Sequence, residues 1–178
     1  MQTRELTWDE AVQLFERRGL PESSYENLYD EEYLLVSGDT HLAGDLRLNG
    51  DPFGAGAGAV TGYIVDGSLT VDGNLYDEDD GAAALVVLGT LRARDVFLWC
   101  DPKLIVQGNV EVGLFAGEMT DKLVMIHGDL RAGAIAYDAE FEPDLVEGET
   151  ISGGAELLVG FAALRERVHA GRPVLRPA

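Results

Sequence analysis

A short turn sequence returns five times along the chain, and it constrains the fold more than any other feature. The copies are Val36-Ser37-Gly38-Asp39-Thr40-His41-Leu42, Val65-Asp66-Gly67-Ser68-Leu69-Thr70-Val71, Val87-Leu88-Gly89-Thr90-Leu91-Arg92-Ala93, Val106-Gln107-Gly108-Asn109-Val110-Glu111-Val112 and Ile126-His127-Gly128-Asp129-Leu130-Arg131-Ala132. The glycines Gly38, Gly67, Gly89, Gly108 and Gly128 fall 29, 22, 19 and 20 residues apart. The longest gap holds the glycine-rich run 50–58, which reads as a loop insertion. Without it the period is about 20, the mark of a solenoid whose coils are built from short strands.

Each column of the repeat has a physical task. A β-branched Val or Ile two residues before the glycine points inward. The glycine allows a bend without a Cβ clash. The Asp, Ser, Thr or Asn that follows suits a turn, which its side chain can bond. An inward Leu or Val comes next, with Thr40 in the first copy. The column His41, Thr70, Arg92, Glu111, Arg131 is polar and faces outward, so stacking would set Arg92, Glu111 and Arg131 in a ladder of alternating sign. Such exposed pairs contribute about 1 kcal/mol at most. A six-residue echo (Gly38/Gly44/Gly50, Gly67/Gly73) is also the mark of left-handed hexapeptide helices, but it lapses after two or three hexads. The fold expected is an all-β solenoid: a right-handed parallel β-helix of about five coils, with the left-handed form as the alternative.

The ends read as helices. Thr7-Trp8-Asp9-Glu10 has the spacing of a capping box, and Arg17, Arg18 and Gly19 close a helix over about 8–18. Leu157, Leu158, Phe161, Leu164 and Val168 predict a second helix between Ala155 and Val168. An open β-helix end exposes unpaired backbone, so both helices are expected to act as caps. The organisation is then 1–33 (helix and acidic linker), 34–150 (β-helix) and 151–178 (helix and tail), within one folded unit.

Composition narrows the function. The chain has 178 residues, 46% hydrophobic but only 8% aromatic, so its core is aliphatic. With 13 Lys and Arg against 32 Asp and Glu, the net charge is −19. Such a field repels nucleic acid and anionic membranes and attracts a basic protein. One cysteine, Cys100, permits no internal disulfide, and no apolar run approaches the ~20 residues of a membrane span. A cytoplasmic location is the expectation.

The residues offer little chemistry. His41, His127 and His169 lack metal-ligand spacing to one another or to Cys100, and solvated surface positions are expected for them. His127 is the only candidate base for a hexapeptide-type acyltransferase. Cys100 reads as a small buried residue with no base nearby. The glycines at 54–58 are not followed by Lys-Ser/Thr, so they form no phosphate loop. No catalytic, metal or cofactor residue is assigned, and the expectation is a protein that is not an enzyme.

Two acidic clusters stand out: Asp77, Glu78, Asp79 and Asp80, and then Asp138, Glu140, Glu142 and Asp144 interleaved with Tyr137 and Phe141. Their spacing matches no EF-hand loop. Aromatics beside carboxylates provide anchors for arginine, so these ten residues are the candidate partner-binding surface.

The segment Val65-Asp66-Gly67-Ser68-Leu69-Thr70-Val71-Asp72-Gly73-Asn74-Leu75 resembles the repeats of bactofilin-like, polymer-forming cytoskeletal proteins. The resemblance spans about residues 34–136. It implies a right-handed parallel β-helix that self-associates end to end without nucleotide. Residues 82–96 also resemble small uncharacterised bacterial β-helix proteins, some of them near polymorphic toxin systems. Three functions stand as expectations. The first is a non-catalytic protein-binding module, such as an immunity protein neutralising a basic toxin. The alternative is a self-assembling scaffold, and the minor alternative is a hexapeptide-type acyltransferase with His127 as its base.

Overall fold

The computed structural model describes residues 1–53, 61–77, 83–118, 121–138 and 140–177. The chain forms a parallel β-solenoid of about four turns. The first sheet stacks β2 (Tyr33–Ser37), β5 (Gly62–Asp66), β8 (Ala84–Val87), β10 (Lys103–Val106), β12 (Leu123–Ile126) and β14 (Leu145–Val146) in parallel. The second stacks β3 (Thr40–Leu42), β6 (Leu69–Val71), β9 (Leu91–Leu98), β11 (Val110–Gly117), β13 (Leu130–Tyr137) and β15 (Thr150–Ser152). The short strands β4 (Leu46–Arg47) and β7 (Leu75–Tyr76) pair with each other, and β7 also joins the far half of β9.

The strands of the first sheet are nearly continuous apolar runs because both of their faces are covered. Leu34, Tyr63, Leu85, Leu104 and Val124 share one register and fill the solenoid interior. Their neighbours Leu35, Ile64, Val86, Ile105 and Met125 point the other way and pack under the N-terminal segment. The interior column Val36, Val65, Val87, Val106, Ile126 is the β-branched position of the repeat.

The corner glycines are required by stacking more than by backbone conformation. Only Gly38 among the five has a positive φ, 79°. A Cβ on Gly67 would lie 2.6 Å from the Asp39 backbone nitrogen, one on Gly89 2.7 Å from the Gly67 backbone, and one on Gly128 2.6 Å from the Gly108 backbone. Glycine stands where coils approach backbone to backbone. Gly148 continues the column, with a Cβ 2.7 Å from the Gly128 backbone. It belongs to a sixth copy, Val146-Glu147-Gly148-Glu149-Thr150, that the motif Val-x-Gly-[Asp/Ser/Asn/Thr] passes over.

The polar residue after the glycine bonds the next coil, where the repeat predicted its own turn. Ser68 N donates to Asp39 Oδ1 (2.7 Å), Thr90 N to Ser68 Oγ (3.2 Å), Asp129 N to Asn109 Oδ1 (2.9 Å) and Glu149 N to Asp129 Oδ1 (2.9 Å). The charge ladder forms in part. Arg92 grips Glu111 at 2.8 Å, while Arg131 turns to Asp129 at 2.6 Å.

The terminal helices differ from the expected caps. α1 (Trp8–Arg18) forms where expected, with the Thr7–Glu10 capping box in place and Gly19 closing it at φ 73°. It lies along the flank of the first sheet, packing Ala11, Leu14 and Phe15 into one cluster with Ile64, Val86 and Ile105. The first coil is instead covered by β1 (Thr3–Leu6), which pairs antiparallel with β2. The physical reason is the second apolar face of the first sheet: burying it stabilises more than shielding one coil end. At the other terminus, helix is confined to a 3₁₀ turn (Phe161–Ala163) and α3 (Leu164–His169), shorter than the predicted 155–168. Residues before Gly160 run extended because Leu158 N donates to Val174 O and Arg176 N to Glu156 O, both at 2.9 Å. Leu164, Val168 and Val174 cover Phe97, Leu114, Ala116 and Ala134 on the second sheet.

Candidate partner-binding groove

The acidic loop residues are largely committed to the fold. Asp77 is fully buried, and Glu78, Asp79 and Asp80 lie outside the described residues, as does the run Gly54–Gly58. Phe141, predicted as a surface anchor, is buried among the interior apolar residues, with Tyr137 half-buried 5.5 Å away between ring centroids. Burial, reinforced by the Glu142 charge, pushes the Tyr137 phenol up to about 12. Asp144 pairs with Lys122 (3.1 Å) and accepts from Val124 N (2.8 Å), so it pins the loop to β12. Asp138, Glu140 and Glu142 remain exposed. The aromatics between them close the coil because this turn has to seal the interior it crosses. Phe141 presses against Gly117, which has no side chain to resist it.

A different acidic and aromatic arrangement is exposed on the N-terminal arm. Residues 21–33, expected to be a linker, contain α2 (Glu22–Tyr25). Between α1 and α2 lies a groove of about 590 Å³, lined by Trp8, Asp9, Val12, Gln13, Glu16, Glu22, Tyr25 and Glu26. Helical geometry assembles it: positions 9, 12, 13 and 16 share one face of α1, and 22, 25 and 26 share one face of the following turn. Its four carboxylates come from two elements, and among the described residues no Lys or Arg lines it. Its aromatic wall is held by edge contacts of Trp8 with Phe15 (6.3 Å) and with Tyr25 (6.4 Å), and by Phe15 against Tyr25 (5.1 Å).

The arm is fastened to the solenoid through the middle residue of the Val-x-Gly motif. Arg18 pairs with Asp66 at 2.7 Å, and Gln107 Nε2 donates to Arg18 O at 2.7 Å. His127, expected at a solvated surface, is buried by the arm: its side chain is only 7% exposed. Its Nε2 lies 2.8 Å from Ser24 Oγ and its Nδ1 2.9 Å from Glu147. Serine, histidine and carboxylate thus stand in the order of a nucleophilic relay. Ser24, however, has no solvent exposure, so no substrate reaches its hydroxyl in this structure. The relay instead ties α2 to the fifth and sixth copies of the repeat. His41 stays on the surface beside Asp72 (2.7 Å), and Cys100 is buried as expected.

The fold and the repeat define a parallel β-solenoid repeat protein. No protein-family model matches the chain, and no curated protein and no solved structure matches it either. Among the described residues, no helix is long and apolar enough to cross a membrane. Nor do three or more His, Cys, Asp or Glu side chains among them converge as a metal site would require.

Proposed function

We propose that this solenoid is a non-catalytic protein-binding module that receives a basic partner on its N-terminal arm. The observation that supports this most is the groove, which Asp9, Glu16, Glu22 and Glu26 line beside Trp8 and Tyr25 with no basic residue among the described lining. Like charges held together raise the free energy of the unbound protein, and a cationic partner relieves it. The net charge of −19 extends the same field and steers a basic protein toward the arm. A basic toxin, with this chain as its immunity protein, is one partner of that chemistry.

The test is titration of the full chain with a defined cationic peptide at rising ionic strength. The expected result is saturable binding that weakens as salt screens the groove. No binding at low salt would remove the proposal.

One observation favours a scaffold as the second reading. The last strand, β15, ends the second sheet and is exposed along its whole length, and among the described residues no further strand pairs with its outer edge. Light scattering over a wide concentration range distinguishes the two readings. A particle that keeps growing supports a scaffold resembling the bactofilins, and a constant small mass removes it.

A further inference from the structure

We infer that the α1–α2 groove is an arginine-recognition site: a partner's guanidinium stacks on Trp8 and bonds the Tyr25 hydroxyl together with the Glu16 and Glu22 carboxylates. This inference rests on the binding function just proposed and narrows it to one side chain.

Tyr25 carries the case. The residue is only 6% exposed, yet among the described residues nothing hydrogen-bonds its hydroxyl, although it lines the groove. The ring is packed away while the hydroxyl reaches the groove, the usual arrangement of a tyrosine that offers a polar tip to a partner. Burial and then the Glu16 and Glu22 charges hold the phenol above its usual range, so the hydroxyl lies within the field of both carboxylates. A hydroxyl that opens onto a groove whose lining includes the Glu16 and Glu22 carboxylates suits a ligand that is cationic and brings several donors.

Arginine fits that requirement better than lysine. Its planar guanidinium offers five donors in fixed directions, able to serve carboxylates on two helices and a phenol oxygen at once. Its flat face also stacks on an indole, whereas an ammonium is a compact, strongly hydrated point charge. Trp8 is half-buried, held edge-on by Phe15 and Tyr25 and tilted against Tyr33 at 5.7 Å, and it lines the groove. The molecule already uses this pairing elsewhere, with the Arg165 guanidinium 3.5 Å from the centre of the Trp99 ring. A volume of about 590 Å³ admits a side chain with its flanking backbone, within the ~300–1,000 Å³ typical of ligand clefts.

The experiment compares two peptides of equal length and charge, one bearing arginines and the other lysines at the same positions. Each is titrated calorimetrically into the full chain and into the Tyr25→Phe and Glu16→Gln/Glu22→Gln variants. Tyr25→Phe keeps the ring and its packing, and circular dichroism verifies its fold. The expected result is about tenfold tighter binding of the arginine peptide. Tyr25→Phe should weaken the arginine peptide more than the lysine peptide and so remove most of that preference, and the double Gln variant should weaken both. Equal affinities, or a preference that survives Tyr25→Phe, overturn the arginine inference and leave the binding module standing. Failure of both peptides to bind overturns the binding module and this inference together.

Discussion

The loop over 137–144 and the arm over 8–26 contain the same ingredients, carboxylates and aromatics, and use them in opposite ways. In the loop Phe141 seals the interior, Tyr137 packs beside it, and Asp144 is held by Lys122 and the Val124 amide. In the arm Trp8 and Tyr25 wall an open groove, and its four carboxylates face no basic residue in the lining. The acids of the loop are adjacent in sequence, whereas those of the arm become neighbours only when two helical faces meet. Density of charge along a chain is therefore a poor guide to density of charge on a surface. What decides is whether the local structure spends the side chains on closing its own core.

The largest expected effect separates the two regions directly. Phe141→Ala should destabilise the fold by about 3–5 kcal/mol in chemical denaturation, as for other buried aromatics. It should leave binding of a cationic peptide intact in the folded fraction, and a loss of binding without a loss of stability would reverse the comparison.

Next in size is the tie between arm and solenoid. His127→Ala leaves the Ser24 hydroxyl buried without its partner and frees Glu147, a loss of about 1–3 kcal/mol. Hydrogen exchange should quicken over 20–28 while the strands from β5 to β12 stay protected. Uniform quickening would mean that the arm and the solenoid open as one unit.

A smaller effect appears at high pH. The Tyr137 phenol is raised from 10.0 to about 12, so the folded state holds its proton more tightly than the unfolded chain. The stability this supplies is complete below pH 10 and falls as pH rises through 12. Tyr137→Phe should flatten that part of the decline, and an unchanged slope would mean that the phenol is open to solvent.

The smallest change in stability is expected in the groove. Glu16→Gln and Glu22→Gln should each alter it by no more than about 0.5 kcal/mol, while weakening the binding of a cationic peptide. Asp144→Asn, which loosens Lys122, should do the reverse.

Much of the scaffold was legible because its causes are local and periodic. The Val-x-Gly columns, the capping box at Thr7 and the stop at Gly19 each depend on residues a few positions apart. The sixth copy escaped because Glu149 fills the turn position and Thr150 the apolar one. The flanking position of α1 was hidden because outward residues such as Ile64, Val86 and Ile105 look like interior ones when every strand residue is apolar. The C-terminal helix was overestimated because the 174–176 segment pairs with 156–158, a contact that helical periodicity does not record. The groove had a signal, the shared face of Asp9, Val12, Gln13 and Glu16, but its other wall came from residues that looked like a linker.

The account stands most directly on where a cationic ligand lands. Titration of a short arginine-bearing peptide into the isotope-labelled 178-residue chain, followed by backbone and indole chemical shifts, locates it. Saturable shifts confined to residues 8–26, with the Trp8 indole among the largest, are the predicted result. Shifts centred on 138–149, or spread over the surface without saturation, would contradict it.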